Sequence, residues 1–411
     1  MLDNVKRFDM AKKPCRQRLR PLLWALCFPD LKKHGNVITK VNMEGVEPPY
    51  LLLSNHNAFM DFKVALRACY PHRANYVVAI DGFIGRAGLL RAVGGICKRK
   101  FTNDVTLVRQ LKRVVANGDI ATVYPEARYS LCGTTAVLPP SLGKLAKLLK
   151  VPVVTLICHG HHVNSPFWNL PDHKVVGTEA TMTCIATAEE VKSLSHEQLF
   201  ERIEKSFEYD DFRWQKEKGL RVSYPKRAEG LHKVLYQCPH CKTEYEMTSF
   251  GTTLKCNACR KEWEMTELGE LAAKDGETEF AHIPDWYEWE RACVAEEVKN
   301  GKYSFTCQAH VSALPNTKFI PIGKATFTHD ANGFLLVGEE NGKPYEVKIT
   351  VPEAYSVHIE YEYLGKYGDC VDLNTLTDTL YVYPENCKFS VTKISLATEE
   401  LYDFYVRKKQ K

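Results

Sequence analysis

At 411 residues the chain is longer than one typical domain, so its length predicts two or three domains. With 45% hydrophobic and 26% charged residues, its composition is that of a globular protein and excludes a disordered chain. The net charge of +5 hides an asymmetry, because residues 1–150 hold 25 Lys and Arg against 10 Asp and Glu, whereas residues 151–411 hold 30 against 40.

The basic first part of the chain predicts an anionic partner, such as phosphate head groups, anionic lipid, coenzyme A or an acidic carrier protein. No nucleic acid is expected, because nothing besides charge supports one. Of the 15 cysteines, four form two CxxC pairs and the others lack disulfide-like spacing, which predicts a reducing, cytoplasmic compartment.

Residues 1–34 combine many basic residues with an apolar run from Leu22 to Phe28. The run is far shorter than the roughly 20 residues that cross a bilayer, and it does not resemble a signal peptide. We expect an amphipathic segment on an anionic membrane surface, which would make the protein peripheral on the inner face of a membrane. A helix packed on the domain core is the alternative.

Strands and helices alternate over residues 35–232, which predicts an α/β domain with a mostly parallel sheet. Apolar runs indicate strands at Tyr50–Ser54, Tyr76–Ile80, Ile120–Tyr124, Val151–Cys158 and Ala180–Thr187. Capping residues and a helical period indicate helices at Phe59–Ala68, Ser141–Leu149 and Ser195–Phe207, and a further helix that ends at Val115 and is capped by Asn103 or Asp104.

Residues 233–268 contain an internal repeat in which YQCPHCKTEYEM is followed by LKCNACRKEWEM. The repeat carries two CxxC pairs at the spacing of a structural zinc site, formed by Cys238, Cys241, Cys256 and Cys259. Four thiolates close a tetrahedral site and leave no open position for catalysis, so we predict a zinc ribbon with a structural zinc ion. A redox CxxC is the alternative, and neither the doubling of the motif nor its context favours it.

The remaining sequence contains two segments of different predicted secondary structure. Residues 269–302 are predicted to form a helical linker with a helix at Trp286–Val298. Residues 303–411 alternate aromatic and β-branched residues between turn residues and end in a helical pattern, which predicts an all-β domain with a C-terminal helix. A pleckstrin-homology-like roll and a sandwich fit this pattern about equally.

Residues 54–61 read SNHNAFMD and follow the predicted strand Tyr50–Ser54. Parallel α/β sheets hold their sites at the C-terminal ends of strands, so His56 is expected there, with Asp61 in the first turn of the next helix. Acyl transfer to an alcohol needs such a pair, because imidazole takes the hydroxyl proton and the carboxylate fixes its tautomer. When this motif is considered without the rest of the sequence, the alternative interpretation is that His56 is a structural histidine at the end of a strand.

Three further blocks follow at residues 94–100, 125–130 and 151–154, reading GGICKRK, PEARYS and VPVV. Together with the histidine motif, their order and spacing resemble the glycerolipid acyltransferase family that includes 1-acylglycerol-3-phosphate acyltransferase. The resemblance covers roughly residues 35–190, under half of the chain. It implies that His56 and Asp61 are the catalytic pair, that acyl-CoA or acyl carrier protein is the donor, and that a lysophospholipid or glycerol phosphate is the acceptor.

The resemblance also implies acceptor-binding residues. Glu126 and Arg128 would lie in the acceptor-binding block, and the cluster of Lys98, Arg99 and Lys100 would hold the acceptor's phosphate. The third block departs from the family's usual Glu-Gly-Thr-Arg-Ser, since its arginine lies one place earlier, and the second-block arginine position is taken by Lys100.

Two other functions compete with an acyltransferase. One is a non-catalytic, lipid-binding adaptor with a degenerate acyltransferase domain, and the other is a thioesterase or phospholipase in which water replaces the acceptor. His159, His161 and His162 follow a predicted strand, and packing or a place at the substrate rim is expected for them rather than metal binding.

Overall fold

The computed structural model describes residues 2, 5–365 and 367–407, so the predicted segments 1–34 and 303–411 lie partly outside it. The described residues form three β-sheets connected by helices. Among them, no helix is both long enough and apolar enough to cross a bilayer.

The first sheet has seven strands and belongs to what we call the α/β domain. Its strands are β1 (Val37–Val41), β2 (Leu51–Ser54), β3 (Ala74–Ala79), β4 (Gly95–Lys98), β5 (Ile120–Val123), β6 (Val153–His159) and β7 (Glu179–Ala186). Their order is β1-β7-β6-β2-β5-β3-β4. Strands β6, β2, β5, β3 and β4 are parallel, whereas β7 is antiparallel to β6 and parallel to β1. The prediction of a mixed α/β fold with a mostly parallel sheet is confirmed.

Ten helices of the described residues surround this sheet or follow it. They are α1 (Arg20–Lys33), α2 (Met60–Ala68), α3 (Ala87–Ala92), α4 (Val105–Ala116), α5 (Ser141–Leu149), α6 (His161–Asn164), α7 (Ala188–Ser193), α8 (His196–Ser206), α9 (Asp211–Glu217) and α10 (Leu231–Val234). Local sequence fixes several of their starts. The Asp104 side chain caps α4, and capping boxes at Thr187 and Ser195 begin α7 and α8.

The centre of the sheet is buried because its strands are apolar along their whole length. Strands β2 and β5 are buried at every residue, and β6 at all but its last. Such continuous burial is typical of parallel strands that are covered on both faces. The carboxyl ends of β2, β5 and β6 therefore meet at one rigid edge.

Residues 5–19, which precede α1, contact other parts of the protein. Phe8 N donates to Pro315 O at 2.9 Å, and Arg16 forms an ion pair with Asp119 at 2.8 Å. Removing this segment would thus remove contacts with both the α/β domain and the C-terminal part of the chain.

Helix α1 has one buried side and one exposed side. It buries Cys27 and Leu31, and the Trp24 ring packs against Tyr70 with centroids 4.0 Å apart. On its other side Leu22 and Leu26 are 51% and 66% exposed. The helix therefore combines packing on the domain with an apolar face that the described residues leave open.

A small antiparallel sheet follows, in what we call the cysteine module. Its strands are β8 (Met247–Phe250), β9 (Thr253–Cys256), β10 (Glu262–Met265) and β11 (Leu271–Ala273), in the order β11-β10-β9-β8. The fourth strand extends this sheet beyond residue 268, where the sequence predicted its end.

The third sheet has seven antiparallel strands and belongs to what we call the C-terminal domain. Helix α11 (Ile283–Lys299) precedes it, over the region predicted as a helical linker. The strands are β12 (Phe305–Ala313), β13 (Ile320–Asp330), β14 (Gly333–Glu340), β15 (Lys343–Ile349), β16 (His358–Glu360), β17 (Cys370–Asn374) and β18 (Thr379–Glu385). Their order is β15-β14-β13-β12-β18-β17-β16, and helix α12 (Val391–Tyr402) follows.

One apolar core joins the three parts. It runs from Trp168 of the α/β domain through Trp263 and Trp286 to Phe327 and Leu396 of the C-terminal domain. Because these side chains are buried together, the carboxyl edge of the first sheet lies next to the C-terminal domain.

Candidate functional site

The loop after β2 is fixed to the end of β6 by a single side chain. Asn55 Nδ2 donates to Cys158 O at 2.9 Å, and Cys158 N donates to Asn55 Oδ1 at 2.8 Å. This pair of hydrogen bonds holds the next residue, His56, at the carboxyl edge of the sheet.

His56 and Asp61 are in contact there. Asp61 lies in the first turn of α2, and its Oδ2 atom is 3.2 Å from His56 Nδ1. The same oxygen accepts hydrogen bonds from Asn57 N and Ala58 N at 2.5 and 2.9 Å. The short loop thus folds the carboxylate back onto the imidazole, and Nε2 remains as the ring nitrogen free of Asp61.

The environment of Asp61 keeps it ionised. Burial alone would raise the pKa of Asp61, but hydrogen bonds from His161 and His56 lower this pKa to about 2. At neutral pH the carboxylate is therefore negative and able to stabilise a protonated imidazole.

The His56 ring is enclosed by aromatic side chains but remains accessible. Its centroid is 4.4 Å from that of Tyr124 and 4.5 Å from that of Tyr129. The side chain is 23% exposed. A histidine that is held rigidly and partly open to solvent can exchange a proton with a bound molecule.

Glu126 lies beneath the same loop and is fully buried. Its Oε1 accepts a hydrogen bond from His56 N at 3.0 Å, and its Oε2 accepts one from Ala136 N at 2.8 Å. Burial raises the pKa of Glu126 to about 8, although these two N–H groups act in the opposite direction. The Tyr209 hydroxyl lies 3.3 Å from Oε2. Glu126 therefore supports the backbone of the histidine loop.

The side chains of Lys98 and Arg99 donate hydrogen bonds to other atoms of the protein. Lys98 Nζ donates to Thr102 O at 2.6 Å, and burial lowers the pKa of Lys98 to about 8. Arg99 is only 2% exposed. Its guanidinium donates hydrogen bonds to three oxygen atoms of the C-terminal part of the chain, those of Leu314, Thr379 and Pro315, at 2.9, 2.8 and 3.0 Å.

Lys100 meets three carboxylates. Its Nζ is 3.3 Å from Asp81, 3.8 Å from Glu360 and 3.9 Å from Asp372. Burial would lower the pKa of Lys100, but the three acidic groups raise it. An acceptor phosphate, the ligand expected for residues 98–100, would require these cations to leave their present partners.

Arg128 is also bonded to the C-terminal domain. Its Nη2 is 2.6 Å from Glu399 Oε1, and its Nη1 donates to Ser395 Oγ at 2.6 Å and to Val357 O at 3.2 Å. The residue is 4% exposed. The contacts of Arg128 thus join the loop beside His56 to α12 instead of leaving its guanidinium open to an acceptor.

The four predicted zinc ligands converge in the cysteine module. The Sγ atoms of Cys238 and Cys259 are 3.7 Å apart, as are those of Cys241 and Cys256, and all four lie within 4.8 Å of one another. A tetrahedral ion with Zn–S bonds of about 2.3 Å has sulfur–sulfur edges of about 3.8 Å. The geometry and the all-thiol donor set therefore fit a structural zinc ion.

His161 has a contact that its sequence position did not indicate. Its Nδ1 lies 2.5 Å from Asp61 Oδ1, so the carboxylate is shared between His56 and His161. His162 packs between Trp168 and Phe212, where burial lowers the pKa of His162 to about 4. The one available signal was that His161 follows β6, the strand beside β2.

A scan against protein-family models finds no match, and a search of curated proteins finds none either. Among solved structures, the chain is similar to the crystal structure of the 1-acyl-sn-glycerophosphate acyltransferase PlsC from Thermotoga maritima, at 15% sequence identity and a TM-score of 0.38. The match covers 46% of this chain and 76% of that chain.

Proposed function

We propose that the protein is an O-acyltransferase that moves a fatty acyl group from a thioester to a hydroxyl of a lysophospholipid or glycerol-phosphate-type acceptor. The observation that carries the proposal is the 3.2 Å contact between His56 Nδ1 and Asp61 Oδ2 beside a partly exposed imidazole. The donor is acyl-CoA or acyl carrier protein.

In the proposed reaction His56 acts as a general base. With Nδ1 bonded to Asp61, Nε2 takes the proton of the acceptor hydroxyl as that oxygen attacks the thioester carbonyl carbon. The negative charge of Asp61 stabilises the resulting imidazolium. The carbon–sulfur bond then breaks, an ester forms, and the leaving thiolate takes the proton from Nε2. General base assistance of this kind contributes roughly 10²–10⁴-fold to the rate.

The proposal includes Lys98, Arg99 and Lys100 as ligands of the acceptor's phosphate, with Glu126 and Arg128 in the acceptor-binding block, and the cations would exchange their present partners for the phosphate. The contacts of Arg99, Lys100 and Arg128 with the C-terminal domain favour a second candidate function, a lipid-binding adaptor without catalysis. In that case the His56–Asp61 pair would be a remnant that only supports the fold.

We also propose a structural zinc ion and a membrane-bound state. Zinc would be held by the four thiolates of the cysteine module. The exposed Leu22 and Leu26 would insert into the cytoplasmic side of an anionic membrane, and the exposed cations Arg18 and Lys32 belong to the same segment of chain. Placing the site near a bilayer would give it access to long acyl chains.

One experiment separates the candidate functions. Radiolabelled palmitoyl-CoA is incubated with the protein and with 1-oleoylglycerol 3-phosphate, glycerol 3-phosphate or no acceptor. Labelled ester that appears only with an acceptor supports an acyltransferase, whereas free fatty acid as the sole product supports a hydrolase. Binding of the lysolipid without any turnover of the thioester would favour the adaptor and contradict the proposal.

A further inference from the structure

The Asp61 carboxylate is bonded on both of its oxygen atoms. Oδ2 faces His56 and the loop N–H groups, and Oδ1 faces His161 Nδ1 at 2.5 Å. Both Asp61 and His161 are essentially fully buried, and no hydrogen-bond partner is found for His161 Nε2 among the described residues. An ionised carboxylate accepts only, so the contact requires a proton on His161 Nδ1.

We infer that His161 is a positioning residue that holds the second oxygen of Asp61 and thereby controls how readily His56 takes up a proton. The inference rests on the proposed function, since it concerns the same His56–Asp61 pair. It assigns a role to a residue whose sequence position alone predicted packing or a place at the rim.

The physical reason lies in the distribution of charge on the carboxylate. The N–H of His161 draws negative charge toward Oδ1 and away from Oδ2, the oxygen that contacts His56. Without this donor, more charge would lie on Oδ2 and a protonated His56 would be stabilised. His56 would then lose its proton only at higher pH. The Asp61 carboxylate would also lose the hydrogen bond from His161 that fixes its orientation.

Other ionisable groups lie around His56 and Asp61, but they do not replace the hydrogen bond from His161 to Asp61 Oδ1. Within the His56–Asp61 pair, the hydrogen bond of Glu126 goes to the backbone N–H of His56, and Cys158 Sγ lies within 4.8 Å of the facing atoms of Asp61 and His161. Among the described residues, Tyr124, Tyr129, His162 and Tyr209 also interact electrostatically with Asp61. Among all of these, the described contacts give only His161 a hydrogen bond to Oδ1.

The test compares two substitutions of His161. His161→Asn keeps an N–H donor near the position of Nδ1, whereas His161→Leu has a similar volume and no donor. For transfer from palmitoyl-CoA to 1-oleoylglycerol 3-phosphate, His161→Leu should lower kcat about tenfold or more, with KM nearly unchanged. The acid limb of its kcat/KM profile should move to higher pH by about half a unit or more. The acid limb of the kcat/KM profile of His161→Asn should coincide with that of the wild type.

His162→Leu is the matched control, because it removes a neighbouring buried histidine that makes no hydrogen bond to Asp61. It should leave the pH profile unchanged even if it changes thermal stability. An acid limb of His161→Leu that coincides with that of the wild type would overturn the inference. Absence of acyl transfer by the wild-type protein would instead overturn the proposed function, so the two failures are distinguishable.

A measurement on the wild-type protein covers the case in which His161→Leu does not fold. Selective ¹⁵N-histidine labelling should find the His161 proton on Nδ1 and none on Nε2 at the pH of maximal activity, with the resonance assigned by its loss in His161→Asn. A proton on Nε2 alone would remove the donor and contradict the inference.

Discussion

Glu399 on the C-terminal helix lies 2.6 Å from Arg128, the residue two places beyond Glu126 in the loop beside His56. The Glu399 carboxylate also lies 2.7 Å from Arg291 of α11. Burial would raise the pKa of Glu399, but the two guanidinium groups lower it. This buried ion pair therefore connects α11 and α12 to the loop that borders the candidate site.

Removing the Glu399 charge should destabilise the whole protein. Breaking a buried ion pair by removing one partner costs about 3–5 kcal/mol, because the other charge stays buried without compensation. Glu399→Gln should therefore lower the free energy of unfolding in urea by about that amount. Glu270→Gln, which removes an exposed ion pair with Lys216, should change it by less than about 1 kcal/mol. Equal effects of the two substitutions would contradict the role given to Glu399.

Glu126 should make stability fall as pH rises. The pKa of Glu126 in the folded protein is about 8, above its ordinary value of 4.5, so the folded state holds this proton more tightly than the unfolded state. Its stabilising contribution is complete below about pH 4.5 and is lost as pH rises toward 8, by about 1.4 kcal/mol for each unit of separation between the two pKa values.

The check on Glu126 is a comparison with Glu126→Gln, which has no proton to lose. Urea unfolding of both proteins between pH 5 and 8 should show the wild type losing stability relative to the variant as pH rises. A stability difference that stays constant with pH would show that Glu126 is ionised throughout this range.

The cysteine module should contain one metal ion per chain. Elemental analysis of the purified protein should find one zinc, and Cys256→Ser should remove it and unfold β8–β11, since binding of such an ion contributes about 10–16 kcal/mol to folding. Cys293→Ser changes a cysteine outside the cluster and should keep the zinc. Full zinc content in Cys256→Ser would refute the assignment of the ligands.

The exposed face of α1 should bind membranes. The double substitution of Leu22 and Leu26 by Glu should abolish co-sedimentation with vesicles of phosphatidylglycerol and phosphatidylcholine, because each leucine contributes roughly 1.5–3 kcal/mol when it is fully buried. Salt should weaken the binding of the wild type, since the interaction of basic residues with anionic lipid is screened.

A matched control replaces two comparably exposed leucines elsewhere, Leu170 and Leu376, by Glu. That variant should bind vesicles like the wild type. Loss of binding in both double variants, or in neither, would remove α1 as the membrane-binding surface. Deleting residues 1–30 is a poorer test, because Phe8 and Arg16 contact other parts of the protein.

Features set by local sequence could be predicted. Helices α4 and α8 begin where Asp104 and Ser195 cap them, and β2 and β6 follow from continuous apolar runs. Strand β1 was not predicted, because it is an exposed edge strand whose residues show no alternation of burial. The contact between His56 and Asp61 was predictable because they are five positions apart in sequence and a strand end fixes their place.

Contacts between distant parts of the chain could not be predicted. Nothing near Arg99 or Lys100 in sequence indicates that they are covered by residues more than 200 positions away. The contact of His161 with Asp61 likewise depends on β6 lying beside β2 in the sheet. A basic cluster looks the same in sequence whether it faces a phosphate or a second domain.

The most direct test of the proposed function is the acyl-transfer rate of His56→Ala, measured with palmitoyl-CoA and whichever acceptor the wild type uses. We predict that kcat falls by at least about 10²-fold while the urea unfolding curve stays close to that of the wild type. His72→Ala, which changes an exposed histidine of the same domain, should keep full activity. A His56→Ala variant that transfers acyl groups within a few-fold of the wild-type rate would contradict the assignment of His56 as the general base.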